Sequence, residues 1–377
     1  MRIALVSRRY PPLIGGAEKV LSYLAPALAD LGHEVAVLTA RPPGPDVPGV
    51  EPVPTRAGSC TVRRLATSRL RFVGTWRYMN NLRERLEADP PDLAYVSMLK
   101  HDAYVAVEVG RRLGFPVVLR PEGAGATGDL SWQSWGNFGR KIGERTKQAD
   151  AIVAISKAVE DELRDAGYDR SKIHRLPNGV PVPEPSWRRR DGWRDAPRAA
   201  FVGRLAPEKG LDTLIEAWPI VRRSFPAAHL TIYGEGPEGP TLGAGVGKLG
   251  LGDAITFAGP TVDPTAALRD ADLFVLPSRE EGMSVALLEA MALGIPVVAS
   301  SIPGNRRVVS DFKDGRLAPV DDPEGLARVV VEQWTEFDRA FHMSRAARKK
   351  VEGSYSVSTM ARQHDGLFRS LASARGG

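Results

Sequence analysis

The sequence is poor in the residues that build disulfide frameworks and metal sites. Its 377 residues include one cysteine, Cys60, and 6 histidines. A single cysteine cannot form an internal disulfide, and we interpret Cys60 as incidental. The histidines do not cluster with it at metal-ligand spacing, and no Asp-x-Asp pair follows a predicted strand. The sequence therefore predicts no metal site.

Long apolar stretches are also missing. None approaches the roughly 20 apolar residues that a membrane-spanning helix needs. Residues 1–7 (MRIALVS) lead into a strand-like segment, without the apolar region and cleavage site of a secretory signal. Together with the low cysteine content, this pattern predicts a cytoplasmic protein.

Charge gives little information about partners, with two local exceptions. The net charge of +6 comes from interspersed cations and anions, a pattern typical of solvated surface. No recognition helix or RNA-stacking motif is present, so we predict no nucleic-acid partner. The first exception is residues 187–190 (WRRR). The second is residues 132–147, where three aromatic residues precede four cations: Trp132, Trp135, Phe138, Arg140, Lys141, Arg145 and Lys147. This segment could contact an anionic membrane peripherally, at its inner face, or its aromatics could be core residues beside a solvated helix face.

Short Val, Ile, Leu and Ala runs alternate with helical patterns along the whole chain. This alternation is typical of parallel sheets covered by helices and predicts the α/β class. Strands are predicted at residues 2–6, 34–38, 93–96, 117–119, 151–155, 172–176, 199–202, 229–233, 255–257, 273–276 and 297–299. Five prolines within residues 177–197 interrupt the pattern, since neither a helix nor a central strand tolerates them well.

The length and the proline-rich interruption predict two doubly wound, Rossmann-like domains. We place an acceptor-side domain at residues 1–183, a linker at 184–196 and a nucleotide-sugar-binding domain at 197–354. Residues 355–377 form an amphipathic helix that is expected to cross back. Open sheets of this type bind ligands beyond the carboxyl ends of their strands, so we expect the site in a cleft between the domains.

Residues 276–300 (LPSREEGMSVALLEAMALGIPVVAS) carry the strongest functional signal. A buried strand ends at Leu276, a polar loop follows, and a helical pattern runs to Gly294. The start of such a helix favours phosphate because its first N–H groups have no partner. The N–H groups expected to face the ligand belong to Gly282, Met283, Ser284 and Val285.

Two carboxylates flank this helix start. Glu281 precedes the helix and Glu289 lies within it, among apolar neighbours. Carboxylates accept hydrogen bonds from vicinal hydroxyls, so we expect Glu281 to bind a transferred sugar and Glu289 a ribose. A buried, unpaired carboxylate at Glu289 would be costly, which favours a ligand over a surface role.

This segment resembles the Glu-x7-Glu signature of the retaining glycosyltransferases of family 4, which have the GT-B fold. Further stretches that resemble the family are residues 10–18 (YPPLIGGAE), 155–180, 201–217 (FVGRLAPEKGLDTLIEA) and 232–237 (IYGEGP). The resemblance implies transfer of a hexosyl group from a nucleoside-diphosphate sugar to a hydroxyl, with retention of anomeric configuration. It also implies that the donor phosphate, rather than an enzymic base, takes the acceptor proton.

The resemblance assigns roles to several residues. Arg204 and Lys209 clamp the donor diphosphate, and cations there would stabilise the charge of the leaving group. Gly203 flanks this clamp, and Gly234 lies beside the nucleobase. Gly15 and Gly16 open a helix near the donor phosphate and the acceptor, in the glycine-rich loop.

One departure from the family pattern concerns a histidine. Many members carry it after the strand that corresponds to residues 117–119, where this chain reads LRPEGAGATGDL. Arg120, Glu122 and Asp129 occupy that region, and we expect them on the acceptor side. His101 is the nearby histidine that remains; it could be a catalytic residue or a polar residue at a helix start.

No cofactor is predicted beyond the substrate, a nucleotide sugar with UDP slightly favoured over GDP or ADP. The acceptor could be a glycan, a lipid-linked molecule or a small molecule. Two alternatives stay open: a nucleotide-sugar epimerase of the same fold, and a non-catalytic protein that binds sugar nucleotides.

Overall fold

A computed structural model of the chain describes residues 1–13, 15–42, 47–68, 70–123, 125, 128–187 and 196–375. The chain divides into two compact units, Met1–Gly179 with Val357–Gly377, and Val180–Ser356. Most of the predicted linker at 184–196 lies outside the described residues. None of the described helices is both long enough and apolar enough to cross a membrane.

The first unit contains eight strands and seven helices among its described residues. The strands are β1 (Arg2–Val6), β2 (Glu34–Ala40), β3 (Val50–Val53), β4 (Ser59–Leu65), β5 (Leu93–Ser97), β6 (Val117–Arg120), β7 (Ala151–Ala154) and β8 (Ile173–Arg175). The helices are α1 (Gly16–Asp30), α2 (Arg71–Ala88), α3 (His101–Leu113), α4 (Asp129–Trp135), α5 (Gly139–Thr146), α6 (Lys157–Asp165) and, from the end of the chain, α14 (Val357–Arg375).

The first sheet has the strand order β3-β4-β2-β1-β5-β6-β7-β8. All neighbours are parallel except the pair β3 and β4, which the sequence analysis did not predict. The chain moves from β1 to β2 on one side, and β5 then pairs with the other side of β1. The point between β1 and β5 is therefore the topological switch point, where open α/β sheets bind ligands.

The last helix, α14, belongs to the first unit. It packs against α1, and its Asp365 Oδ1 accepts a hydrogen bond from His33 Nε2 at 2.7 Å. His364 is fully buried against Tyr95, whose hydroxyl lies 3.1 Å from the imidazole Nε2. The chain thus returns to the unit in which it began, as expected for residues 355–377.

The second unit contains six strands and seven α-helices among its described residues. The strands are β9 (Arg198–Val202), β10 (His229–Tyr233), β11 (Ile255–Gly259), β12 (Leu273–Leu276), β13 (Val297–Ser300) and β14 (Arg316–Ala318). The helices are α7 (Leu211–Ser224), α8 (Gly239–Lys248), α9 (Pro264–Arg269), α10 (Val285–Leu293), α11 (Pro303–Val308), α12 (Pro323–Thr335) and α13 (Phe337–Ser354).

The second sheet is wholly parallel, with the order β11-β10-β9-β12-β13-β14. Its switch point lies between β9 and β12, since the chain first builds outward through β10 and β11 and then returns to the free side of β9. Parallel strands end at one edge of a sheet, so the loops after β9, β10, β12 and β13 are brought together there.

Glycines allow these loops to approach each other closely. A Cβ atom on Gly234, which has a φ of 150°, would lie 1.8 Å from the carbonyl oxygen of Gly203. A Cβ atom on Gly236 would lie 2.2 Å from the carbonyl oxygen of Leu205. Packing within the protein therefore requires glycine at both positions, in addition to the place beside the nucleobase that the family resemblance implies for Gly234.

Gly210 provides a test of this packing at the junction of the β9 and β12 loops. It has a φ of 62°, and a Cβ atom would lie 2.3 Å from the carbonyl oxygen of Pro277. Gly250 has a φ of 65° but no atom within 4 Å of the same position. We predict that Gly250→Ala costs about 1 kcal/mol of unfolding free energy, the backbone cost alone. Gly210→Ala should cost about 2 kcal/mol more, because the backbone of Pro277 must also shift.

Urea denaturation of both variants and the wild type measures these differences. Equal losses of unfolding free energy for the two variants would contradict the close packing of the two loops.

Candidate active site

An ion pair joins the loops on either side of the second switch point. Lys209, in the 3-10 turn after β9, places Nζ 2.7 Å from Oε1 of Glu281, in the loop after β12. Ser278 Oγ donates to the same oxygen at 2.9 Å. The side chains of Lys209 and Glu281 are 20% and 9% exposed, so the pair is accessible at one side and otherwise shielded. The two residues that the sequence assigned to phosphate and sugar are thus in direct contact.

Arg279 holds the β12 loop against the start of α7. Its Nε donates to Asp321 Oδ1 at 2.6 Å, and its Nη2 donates to Asp212 Oδ2 at 2.7 Å. Its Nη1 donates to the carbonyl of Pro207 at 2.7 Å. The planar guanidinium can bind three acceptors at once, which a lysine ammonium on a flexible chain does less well. Arg279 therefore fixes the distance between the loop of Lys209 and that of Glu281.

The β13 loop supports the other side of Glu281. A Cβ atom on Gly304 would lie 2.2 Å from the carbonyl oxygen of Glu281, so only glycine allows this approach. Ser300 Oγ donates to the carbonyl of Ser278, and Asn305 Nδ2 donates to the carbonyl of Ser300 at 3.0 Å. The loop that carries Glu281 is therefore held by two neighbouring segments.

Helix α10 begins at Val285, two residues later than the helical spacing suggested. Ser284 is its N-cap, and its hydroxyl accepts the N–H of Leu287. The N–H groups of Val285 and Ala286 have no partner within the helix, because they belong to its first turn. The preceding residues Gly282 and Met283 form a partly exposed bend. The structure thus brings these N–H groups to the sheet edge that carries Lys209.

Glu289 lies in the middle of α10 and is only 6% exposed. It already has an interaction within the chain. Burial alone therefore does not require a ligand at Glu289, and its role in ligand binding stays a prediction. The argument that remains for ribose binding by Glu289 is its position in the helix that follows Glu281.

Arg204 lies in the loop directly after β9, and its side chain is exposed. Among the described residues it has no ion-pair partner. The preceding Gly203 is packed close to the ring of Phe201, since a Cβ atom there would lie 2.8 Å from a ring carbon. Arg204 thus places a second cation near the Lys209 turn, on the same loop.

The first unit presents a second polar edge, which begins at its glycine-rich loop. Helix α1 starts at Gly16, with Gly15 as its N-cap. The space that a Cβ atom of Gly15 would take is filled by the carboxylate of Glu18, at 2.1 Å. Glu18 is buried and pairs with Arg9 Nε at 2.8 Å.

Arg120, Glu122 and Asp129 come together at the ends of β5 and β6. Ser97 Oγ donates to Glu122 Oε1 at 2.8 Å, and the N–H of Glu122 donates to Asp129 Oδ2 at 2.8 Å. Arg120 is buried and donates to Asn178 Oδ1 at 2.6 Å. Arg120 Nη1 also donates to Ser97 Oγ at 3.4 Å, so the three predicted acceptor-side residues belong to one hydrogen-bonded group.

Burial, together with the nearby charge of Asp129, raises the pKa of Glu122 to about 7. Arg120 and the hydrogen bond from Ser97 act in the opposite direction. Burial also raises the pKa of Asp129, although Lys100 at 3.7 Å favours its charged form. Glu122 can therefore accept or donate a proton near neutral pH.

His101 begins α3 and packs with Trp132, their ring centroids 5.5 Å apart. Burial, with the charges of Arg8 and Lys100, lowers its pKa, so the imidazole is neutral at pH 7. It lies in a different part of the first unit's edge from Glu122, beside a large cavity described below. Its assignment as a catalytic residue stays a prediction.

Sequence reasoning missed Arg279 and Glu280. Both lie in the loop after β12, and one carboxylate oxygen of Glu280, Oε1, is buried without a hydrogen-bond partner among the described residues. Such an atom normally needs an explanation, which a polar ligand at this loop would supply. The loop sequence PSREEG shows a cation and adjacent carboxylates, but nothing in it distinguishes the structural role of Arg279 from that of a ligand-binding cation. In the described residues no group of three or more His, Cys, Asp or Glu side chains could hold a metal ion.

The raised pKa of Glu122 leads to a prediction for stability. The native pKa exceeds the usual value of 4.5, so the folded state binds more protons than the unfolded state between the two values, and the wild type loses stability as the pH rises through about 7. Glu122→Gln removes this loss. A pKa of about 7 in place of 4.5 corresponds to roughly 3 kcal/mol. The melting temperature of the variant should therefore exceed that of the wild type by about 6–12 °C at pH 8, and by less at pH 5.

Differential scanning fluorimetry between pH 5 and pH 8 measures this difference. Glu144→Gln, at an exposed glutamate of the same unit, controls for the loss of one surface carboxylate. A Glu122 difference that is constant across the pH range would show that the carboxyl group is not perturbed.

Comparison with known proteins gives the family. Residues 14–183 match the family model described as Glycosyltransferase Family 4, and residues 196–336 match the model described as Glycosyl transferases group 1. Phosphatidyl-myo-inositol mannosyltransferase of Mycolicibacterium smegmatis is 30% identical over 371 residues, which is 95% of this chain and 91% of that protein.

Solved structures show the same fold. Sucrose-phosphate synthase from Thermosynechococcus elongatus superposes with a TM-score of 0.80 at 22% identity, over 99% of both chains. HepE of Anabaena, solved with UDP and glucose, has a TM-score of 0.77 at 19% identity, over 98% of this chain and 100% of that one. These neighbours confirm the predicted GT-B fold with two Rossmann-like domains, and the family models bear out the resemblance seen in the sequence. The chain belongs to the group 1, family 4 glycosyltransferases.

Proposed function

We propose that the protein transfers a hexosyl group from a nucleoside-diphosphate sugar to an acceptor hydroxyl, with retention of configuration and without a metal ion. The observation that carries this proposal is the Lys209–Glu281 pair, 2.7 Å apart at the switch point of the second sheet. A cation for a diphosphate and a carboxylate for sugar hydroxyls lie side by side there. The second unit binds the donor, and the first unit presents the acceptor.

Lys209 and Arg204 stabilise the leaving nucleoside diphosphate. The bond between the anomeric carbon and the phosphate oxygen breaks, and the negative charge on that oxygen grows. Cations near this oxygen stabilise the transition state more than the ground state. Glu281 holds Lys209 in place before the donor binds, and Ser278 keeps Glu281 anchored when Lys209 turns toward phosphate.

Glu281 binds the transferred sugar. One of its oxygens accepts from Lys209 and Ser278, which leaves the second to accept a sugar hydroxyl. The acceptor oxygen attacks the anomeric carbon from the face that the diphosphate leaves, and the departing phosphate oxygen takes the acceptor proton. No enzymic nucleophile or base is required, so the protein acts by positioning and by stabilising charge.

The start of α10 completes the donor site. The N–H groups of Gly282, Met283 and Val285 bind phosphate oxygens, as at other helix starts, and Glu289 accepts from the ribose hydroxyls. The buried Oε1 of Glu280 is a further acceptor at this loop. The backbone of Gly234 lies beside the nucleobase.

The acceptor hydroxyl binds at the edge formed by Arg120, Glu122 and Asp129, near the glycine loop of Gly15 and Gly16. A carboxyl group with a pKa near 7 accepts a hydrogen bond when charged and donates one when neutral, which suits a hydroxyl in either orientation. His101 contributes a neutral imidazole to the same side of the site.

UDP is the preferred nucleotide in this proposal, and HepE, solved with UDP and glucose, supports the choice. Family membership favours transfer over epimerisation or a purely binding role. Action in the cytoplasm and the absence of a nucleic-acid partner stay predictions from the sequence.

Variants of the ion pair test the donor site. Lys209→Ala removes a charge-assisted contact worth about 1.5–3 kcal/mol, so kcat/KM for the donor should fall about 10- to 150-fold. Glu281→Gln should lower turnover by a similar factor. Since the two side chains act together, the double variant should lose less than the product of the two single losses.

Release of nucleoside diphosphate from UDP-, GDP- and ADP-sugars measures these rates, and thermal shifts with each donor measure binding. Lys248→Ala, at an exposed lysine of α8, is the matched control. Wild-type turnover and donor affinity in Lys209→Ala would reject the clamp. Conversion of the donor sugar without release of diphosphate would favour an epimerase.

A further inference from the structure

The first unit contains a cavity that is lined neither by the proposed donor site nor by the group of Arg120, Glu122 and Asp129. It has a volume of about 730 Å³ and lies among α2, α3, α4 and α5. This volume is in the range of pockets that bind small ligands, roughly 300–1,000 Å³. Lys100 and His101, which follow β5, line the cavity, and Lys100 also contacts Asp129.

The wall of the cavity is rich in exposed aromatic side chains. Phe72, Trp76, Trp135 and Phe138 line it and are 74%, 66%, 72% and 72% exposed. On α2, the lining residues Phe72, Thr75, Trp76 and Met79 follow the spacing of one helix face, while Tyr78 and Leu82 on another face are fully buried. An apolar helix face of this kind normally packs against something. Trp135 and Phe138 are therefore exposed. The alternative interpretation of the sequence, in which they are core residues, does not hold for these two side chains.

Phe138 is held in a conformation that a bulky side chain rarely adopts. Its φ is 62°, in the left-handed region that favours glycine. The strained backbone places a largely exposed ring at the rim of the cavity, so burial of the ring does not offset the strain. Backbone strain of this kind is commonly retained for function.

The charges of the wall all have one sign. Arg8, Lys100 and Lys141 line the cavity, and none of the described lining residues is acidic. Lys100 Nζ lies 5.5 Å from the ring centroid of Trp132, and Arg8 donates to Thr75 Oγ1 at 3.0 Å. The site therefore combines a large apolar wall with a cationic end, which is complementary to an amphiphile with an anionic head.

We propose that this cavity binds the acceptor, and that the acceptor is an amphiphile with a hydrocarbon chain and a phosphate-type head group. The chain lies along the aromatic wall, and the head group lies near Arg8, Lys100 and Lys141. This inference rests on the proposed function, since it gives the chemical class of the acceptor. Lys100 Nζ is 3.7 Å from Asp129 Oδ1, so the cationic end of the cavity adjoins the proposed acceptor group.

Binding of soluble amphiphiles tests the proposal without requiring turnover. Titration of the wild type with dodecyl phosphate, below its micelle concentration, should give saturable binding with one molecule per chain by calorimetry. Tryptophan fluorescence should change with the same affinity, because Trp76, Trp132 and Trp135 line the cavity. Dodecyl maltoside, with a neutral head, should bind at least about tenfold more weakly, and inorganic phosphate should not bind measurably.

Phe138→Gly is the most informative variant. Glycine is the residue that prefers a φ of 62°, so the melting temperature should stay the same or rise, while affinity for dodecyl phosphate falls about tenfold. Phe312→Gly is the matched control, since Phe312 also has a φ of 62° and is 49% exposed but lies in the second unit. It should leave binding of dodecyl phosphate unchanged. Lys141→Glu should lower affinity for dodecyl phosphate about tenfold and affinity for dodecyl maltoside much less.

The proposal would be overturned by a wild type that does not bind dodecyl phosphate, or by a Phe138→Gly variant with wild-type affinity. Binding to vesicles of anionic phospholipid without binding of the soluble amphiphile would also reject it and would identify the aromatic wall as a membrane-docking surface. The thermal shift of the wild type with UDP-sugars reports the donor site separately. A donor shift without amphiphile binding would reject this inference and leave the proposed function standing.

Discussion

The ion pair between Lys209 and Glu281 depends on how closely two loops of the second sheet can approach. The loops follow β9 and β12, the two strands beside the switch point, and they meet where Gly210 has no Cβ atom to displace Pro277. Arg279 then ties the β12 loop to Pro207, Asp212 and Asp321. The distance between cation and carboxylate is thus set by backbone packing and one guanidinium, before any ligand arrives.

The fold was predictable wherever short apolar runs are bounded by clear turn or loop residues. Strands β1, β10 and β12 have the predicted bounds, because each is a short buried run of a parallel sheet. Strand β3 was missed because it contains Pro52 and lies at the edge of its sheet. An exposed edge strand does not need the run of apolar residues by which buried strands are recognised. Helix α2 was also missed, although the spacing of Tyr78, Leu82 and Leu86, all buried, was a readable signal.

Residue types at the site were easier to predict than the reasons for them. The positions of Lys209 and Glu281 followed from a familiar pattern, but their direct contact and the support from Arg279 come from tertiary packing. Gly234 was expected to make room for a ligand, yet its missing Cβ is required by the carbonyl of Gly203. The exposure of Trp135 and Phe138 was not predictable either, because sequence does not distinguish an aromatic residue that lines a cavity from one in a core.

In the proposed mechanism Glu281 stabilises the sugar without acting as a base or a nucleophile, so transfer keeps the anomeric configuration. Proton NMR of the first product formed from an α-linked nucleotide sugar, recorded before any anomerisation, measures this directly. An acceptor found by screening amphiphiles and simple glycosides is sufficient for the experiment. We expect an α-linked product from the wild type and, at a lower rate, from Glu281→Gln. A β-linked product would contradict it, because inversion requires a base for the acceptor hydroxyl that the proposed site does not assign.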